Sequence, residues 1–134
     1  MKTIAPLLLL GTSLLCHAET PQQIGQAYAQ EASRQTPGFT ASADRGKSFF
    51  RQRFDINAKM PACTSCHTDN PATAGQHAVT GKAIRPLAVS ANGERLSDPA
   101  KVEKWFGRNC KEVLGRACSA AEKADFVAYM SEAR

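Results

Sequence analysis

Cys63-Thr64-Ser65-Cys66-His67 places two thiols three positions apart with an imidazole directly after the second, the attachment pattern for a c-type haem. The residue types follow from the chemistry. Two thiols reach the two vinyl groups of one porphyrin, and the adjacent imidazole turns onto the iron as proximal ligand. The other uses of a C-x-x-C pair, a dithiol redox site or half of a zinc site, need no trailing histidine. A zinc site also asks for two more Cys or His at ligand spacing, and a thioredoxin-like site for a βαβ pattern; neither is visible. The expected cofactor is one haem c, covalent through Cys63 and Cys66, with His67 on its iron.

Upstream, Met1-Lys2 opens a charged region, Pro6 to Leu15 is a short apolar run broken by Gly11, and Cys16-His17-Ala18 ends in a small residue before Glu19. This reads as a secretory signal, residues 1–18, cleaved after Ala18 to leave a chain bound for the periplasm. A lipoprotein site at Cys16 is the alternative, but Leu15 is bulky where such a site needs a small residue. The apolar run is too short to span a bilayer, and no later stretch approaches the ~20 residues required, so no stable membrane insertion is expected.

Export changes the cysteine arithmetic. Cys16 leaves with the signal, the haem takes Cys63 and Cys66, and Cys110 and Cys118 remain with Gly115 between them to let the chain turn. In an oxidising compartment these two are expected to bridge, with two free thiols or a metal pair as alternatives.

Residues 19–134 make one monohaem domain, modest in core unless a flat apolar porphyrin adds to it. The formal charge of the whole chain is +5, one unit of which leaves with Lys2. This mild, dispersed excess suits an acidic redox partner protein and argues against nucleic acid.

Four helical segments are predicted. Thr20 caps one, with Pro21 at its first position and Ile24, Ala27, Tyr28 and Glu31 following until Thr36-Pro37-Gly38; Ser42 caps a second, Ala43 to Arg53, with Gly46 and Phe50 on one face. Asp98-Pro99 opens a third, with Val102, Trp105 and Phe106 as its buried stripe and Gly107 as its end. Ser119-Ala-Ala-Glu122 is a capping box, followed by Phe126, Val127, Tyr129 and Met130. No segment alternates with strand period over a useful length, so the fold is expected to be all-α. The Gly- and Pro-punctuated stretch between His67 and Ser97 makes sense wrapped around a haem edge, with Ile84, Pro86, Leu87 and Val89 against the ring.

The residues leave the sixth iron ligand open. Met60 lies three residues before Cys63, too close to reach the far face easily, and Met130 sits on the last helix as core. His77 would give a bis-histidine site, although a lone His in a polar loop is commonly solvated. Asn109 stands after the aromatic helix, where it also reads as a helix-terminating residue after Gly107.

The segment Val102-Glu-Lys-Trp105-Phe-Gly-Arg-Asn109-Cys110, then Val113, Gly115-Arg116 and Cys118, with Thr80-Gly-Lys82 and Pro86-Leu-Ala88, resembles the small oxygen-binding cytochromes c known as sphaeroides haem protein. The resemblance runs from about Ile24 to Tyr129. Gly46 and Phe50 facing a C-terminal aromatic also resemble the terminal-helix crossing of class I cytochromes c. It implies a class I-like cytochrome c fold, short helices around one covalent haem, in which Asn109 ligates ferric iron beside a Cys110–Cys118 disulfide and leaves on reduction. The open ferrous position would then take oxygen, nitric oxide or carbon monoxide. The family further implies a dihaem cytochrome c and a membrane cytochrome b as partners.

Two supporting roles follow: the Pro86 carbonyl, as in class I cytochromes, accepts the His67 ring N–H, and Trp105 packs near the ring or simply fills core. Arg85 and Arg108 are candidates for the propionates, with solvated surface as the alternative. The chain is read as a carrier of single electrons. The alternative is a haem enzyme reducing or detoxifying oxygen, nitric oxide or peroxide, for which no acid–base residue is assigned, Arg108 being the nearest candidate. A gas sensor or carrier without turnover would want an output domain, and none is visible.

Overall fold

Short polar side chains set the helix starts. The computed structural model describes residues 18–134, so the signal-peptide reading lies, but for Ala18, outside the described residues. α1 (Pro21–Gln35) begins at a capping box in which Thr20 and Gln23 satisfy each other's backbone N–H groups. α2 (Ala43–Arg51) begins at Ser42, whose hydroxyl accepts from the Arg45 N–H, and ends two residues before the expected Arg53. A single turn, α3 (Thr64–His67), carries the C-x-x-C-H run. Two two-residue strands, β1 (Gly75–Gln76) and β2 (Ala83–Ile84), pair antiparallel, a small exception to the all-α expectation. α4 (Pro99–Leu114) is capped by Asp98, and α5 (Ala120–Glu132) by a second capping box, Ser119 with Glu122.

α4 departs from its expectation in two ways. Gly107 does not end it. A mid-helix glycine costs about 1 kcal/mol, but continuing the helix buries Cys110, Val113 and Leu114 in line with Val102 and Phe106, a larger gain. The helix stops at Gly115, which takes the left-handed conformation (φ 71°) that costs glycine least. Nor does Trp105 belong to the buried stripe: it is 47% exposed, with the Arg108 guanidinium 5.9 Å above its ring.

α5 packs against both α1 and α2. At the α2 crossing the backbones nearly touch: a Cβ on Gly46 would stand 2.0 Å from the Asp125 carbonyl oxygen and 2.9 Å from the Tyr129 Cβ. Buried Asp125 locks the same joint, accepting two bonds from Arg45 and one from the Ser42 N–H. Phe50, Tyr129 and Met130 form one apolar cluster there; Ile24, Met60, Val102, Phe106, Val113, Leu114 and Val127 lead the other. Cys63, Leu96 and Phe126 pack against both.

The Ser119–Glu122 cap carries a prediction. Glu122 also takes both Arg116 guanidinium N–H groups, at 2.6 and 2.8 Å, and this pairing holds its carboxyl below the ordinary range. A folded-state pKa below the unfolded one contributes stability above the unfolded value and loses it as pH falls through the folded one. Arg116 is half exposed, so Glu122→Gln is expected to cost only about 0.5–1 kcal/mol at pH 7. In denaturant titrations the gap should close as the pH is lowered past the unfolded carboxylate value; a gap constant with pH would refute the charge as its cause.

Candidate haem site

One helical turn brings the attachment residues together. Cys63, Cys66 and His67 stand at i, i+3 and i+4, positions that share a helix face. The Cys66 and His67 N–H groups both donate to the Cys63 carbonyl at 3.2 Å. Thr68 then leaves the helix at φ 60°. Gly75 seats the following loop against this turn, since a Cβ there would be 2.1 Å from the Cys66 carbonyl oxygen.

The donor set fits a c-type haem. Both thiols are unbridged and half-buried, and Cys63 lies against the two apolar clusters, where burial pushes its pKa up to about 11. His67 is lowered to about 4, chiefly by burial and then by the charges of Arg95 and His77, so its imidazole is neutral near pH 7, the form that ligates metal. The Phe50 ring sits 6.5 Å from it. Among the described residues no cluster of three or more His, Cys, Asp or Glu that could hold a metal ion is present.

The candidates for the sixth ligand stand in different surroundings. Met130 is fully buried beside Phe50 and Tyr129, and Met60 is buried in the larger cluster. His77 uses its Nδ1 to accept from the Val79 and Thr80 N–H groups, organising the β1–β2 turn. Asn109 is half-buried on α4, and its carboxamide makes no hydrogen bond among the described residues. The other three asparagines are all engaged: Asn57 with Lys59 and Glu112, Asn70 with Ala72, Asn92 with Pro86 and Arg85. The residue after Asn109 is fastened, because Cys110 and Cys118 are disulfide-bonded with Cα atoms 5.6 Å apart. Trp105 lies four positions before Asn109, on the same side of the helix.

The supporting residues have hydrogen-bond and ion-pair partners within the chain. The Pro86 carbonyl accepts from Arg95 Nε at 2.8 Å and Asn92 Nδ2 at 3.3 Å, which occupies both its lone pairs; the His67 ring makes no hydrogen bond among the described residues. Arg85 pairs with Glu94, and Arg108 with Glu112. Ile84, Pro86, Leu87 and Val89 are all half-buried, with Leu87 against the Phe50 cluster. Sequence reasoning passed over Arg95, whose only signal was a basic residue in a polar loop.

Comparison with known proteins adds the family. A family described as a domain of unknown function (DUF1924) matches residues 36–130. Cytochrome c'' of Methylophilus methylotrophus is 40% identical over 124 residues, covering 91% of this chain and 86% of that protein. The cytochrome c-type protein SHP of Cereibacter sphaeroides is 42% identical over 113 residues, 84% of this chain and 83% of that one. The structure of oxidised SHP, an oxygen-binding cytochrome c, superposes with a TM-score of 0.77 at 41% identity, over 85% of this chain and 97% of that chain. The solution structure of cytochrome c'', described in terms of haem-ligand detachment, gives 0.70 at 40% identity, over 82% and 90%.

Proposed function

This chain belongs to the SHP and cytochrome c'' family of monohaem c-type cytochromes, and from that premise we propose that it is a periplasmic carrier of single electrons whose sixth ligand, Asn109, is labile. Haem iron supplies a ferric/ferrous couple and, with one position free, a site for diatomic gases. The chain's residues do the rest. Cys63 and Cys66 hold the porphyrin covalently, and His67, kept neutral by burial, donates its lone pair to the iron. The Asn109 carboxamide is a hard, neutral, weak donor that suits ferric iron and competes poorly for the softer ferrous ion, so it leaves on reduction. Trp105, beside it on α4, offers an apolar face to the ring.

The observation that carries this reading is the idle Asn109 carboxamide, next to the disulfide that fastens its helix turn. The bridge would hold the backbone of this turn in place when the side chain left the iron. Transient docking of acidic redox partners follows from the net positive charge, and the periplasmic address from the leader-like residues 1–18.

The test is spectroscopic. Protein matured with haem should bind carbon monoxide in the ferrous state and show a ligand-dependent Soret shift. A ferrous protein that stays low-spin and ignores carbon monoxide has two strong ligands and is a plain electron carrier.

A further inference from the structure

α4 turns a basic stripe to solvent. Lys101, Lys104, Arg108 and Lys111 stand at i, i+3, i+7 and i+10, one face of the helix about 15 Å long, and all four are exposed. The core takes the opposite side, through Val102, Phe106, Cys110 and Val113. Among the described residues Lys104 and Lys111 have no carboxylate at ion-pair distance. Arg108 meets Glu112 at 3.2 Å, and Lys101 stands 4.0 Å from Asp98.

Helix stability does not account for this pattern. A helix disfavours cations near its N-terminus, the positive end of its dipole, yet the first turn of α4 holds Lys101 and no acidic residue, and Lys104 follows one turn on. The stripe also differs from the other basic cluster. Lys47, Arg51 and Arg134 border depressions that they share with Asp44, Asp69 and Glu132, so that cluster is balanced in charge. On α4 only Asp98 and Glu112 oppose the four cations.

The loop before the attachment turn extends the face. Asn57 Nδ2 donates to the Glu112 carbonyl at 3.5 Å, and Ile56 lies against Gly115, where a Cβ would meet its Cγ2 at 3.1 Å. These contacts bring Ile56, 65% exposed, and the exposed Lys59 to the C-terminal end of α4. An apolar side chain among cations suits a small interface that is steered by charge and quickly released.

We propose that the outer face of α4, extended by Ile56 and Lys59, is the docking surface for an acidic redox protein. It rests on the electron-carrier reading above. Arg108 immediately precedes Asn109, so a partner seated on the stripe stands beside the side chain assigned to the sixth position of the iron, and electrons enter or leave on that side. A second copy of the chain would bring like charges together. An anionic bilayer would want a broad apolar face beside the cations, where this one offers isolated side chains, Ile56 at the end and Trp105 at the edge.

Kinetics with a charged reagent test it. Ferricyanide, a trianion, takes one electron from the ferrous protein and becomes ferrocyanide. Lys104→Glu with Lys111→Glu should slow this step about tenfold at low ionic strength, and flatten its dependence on salt, which screens exposed charges. Lys47→Glu with Arg51→Glu makes the same change in net charge at the other basic cluster and should slow it by less than about twofold. Equal slowing by the two pairs would mean that net charge alone acts, and would overturn the surface. Amide NMR of the parent, which needs no variant to fold, should show polyglutamate shifting the signals of α4 and Lys59; shifts centred elsewhere, or none, overturn it too. Co-sedimentation with phosphatidylglycerol vesicles at about 0.15 M salt, lost in the α4 pair, would assign the face to a membrane and overturn the protein partner. Parent protein without a Soret band, left unchanged by ferricyanide, would instead overturn the electron-carrier reading itself.

Discussion

Asn109→Ala is expected to turn the ferric protein high-spin while leaving carbon monoxide binding to the ferrous form intact or faster. Alanine is the best helix former, and Asn109 makes no side-chain hydrogen bond among the described residues, so α4 should keep its stability within about 1 kcal/mol. Everything that changes should therefore appear at the iron. Ferric electronic and electron paramagnetic resonance spectra read the loss of the sixth ligand, and rapid mixing of ferrous protein with carbon monoxide reads the access rate. An unchanged ferric spectrum would remove Asn109 from the coordination sphere. The buried Met130 and the turn-bound His77 would then return as alternatives.

Gly46→Ala should damage the fold more than any other single methyl group. On helix propensity alone the substitution would stabilise α2 by about 1 kcal/mol, so the sign of the result discriminates. The added Cβ would lie 2.0 Å from the Asp125 carbonyl oxygen and 2.9 Å from the Tyr129 Cβ, with backbone on one side and no flexible side chain to yield. α2 and α5 must part, loosening the Arg45–Asp125 ion pair and the packing of Phe50 on Tyr129. A loss of about 3 kcal/mol is expected, enough to lower the Tm by roughly 15 °C in a domain of this size. Denaturant titration and thermal melts check it; a neutral or stabilised variant would show that the helices do not cross at this residue.

Features carried by neighbouring residues were legible. Thr20, Ser42, Asp98 and Ser119 each cap a helix where their sequences said, because an N-cap needs only a short oxygen-bearing side chain and the N–H two or three residues on. The disulfide was readable because eight positions and a glycine bring Cys110 and Cys118 within reach. Gly107 misled for an instructive reason. Its cost is local and visible, whereas the burial of Cys110, Val113 and Leu114 that outweighs it depends on α1 and α5.

From its residues alone, this chain disclosed a C-x-x-C-H attachment motif, a mostly helical body and the pair of cysteines that bridge. Those rest on chemistry confined to a few adjacent positions. Tertiary structure decided which polar groups stay free. Among the described residues the Asn109 carboxamide makes no hydrogen bond while three other asparagines are engaged, and the Pro86 carbonyl accepts from Arg95 and Asn92. Whether a donor or acceptor is satisfied depends on groups brought close by folding from elsewhere in the chain, and no spacing rule within a segment records them.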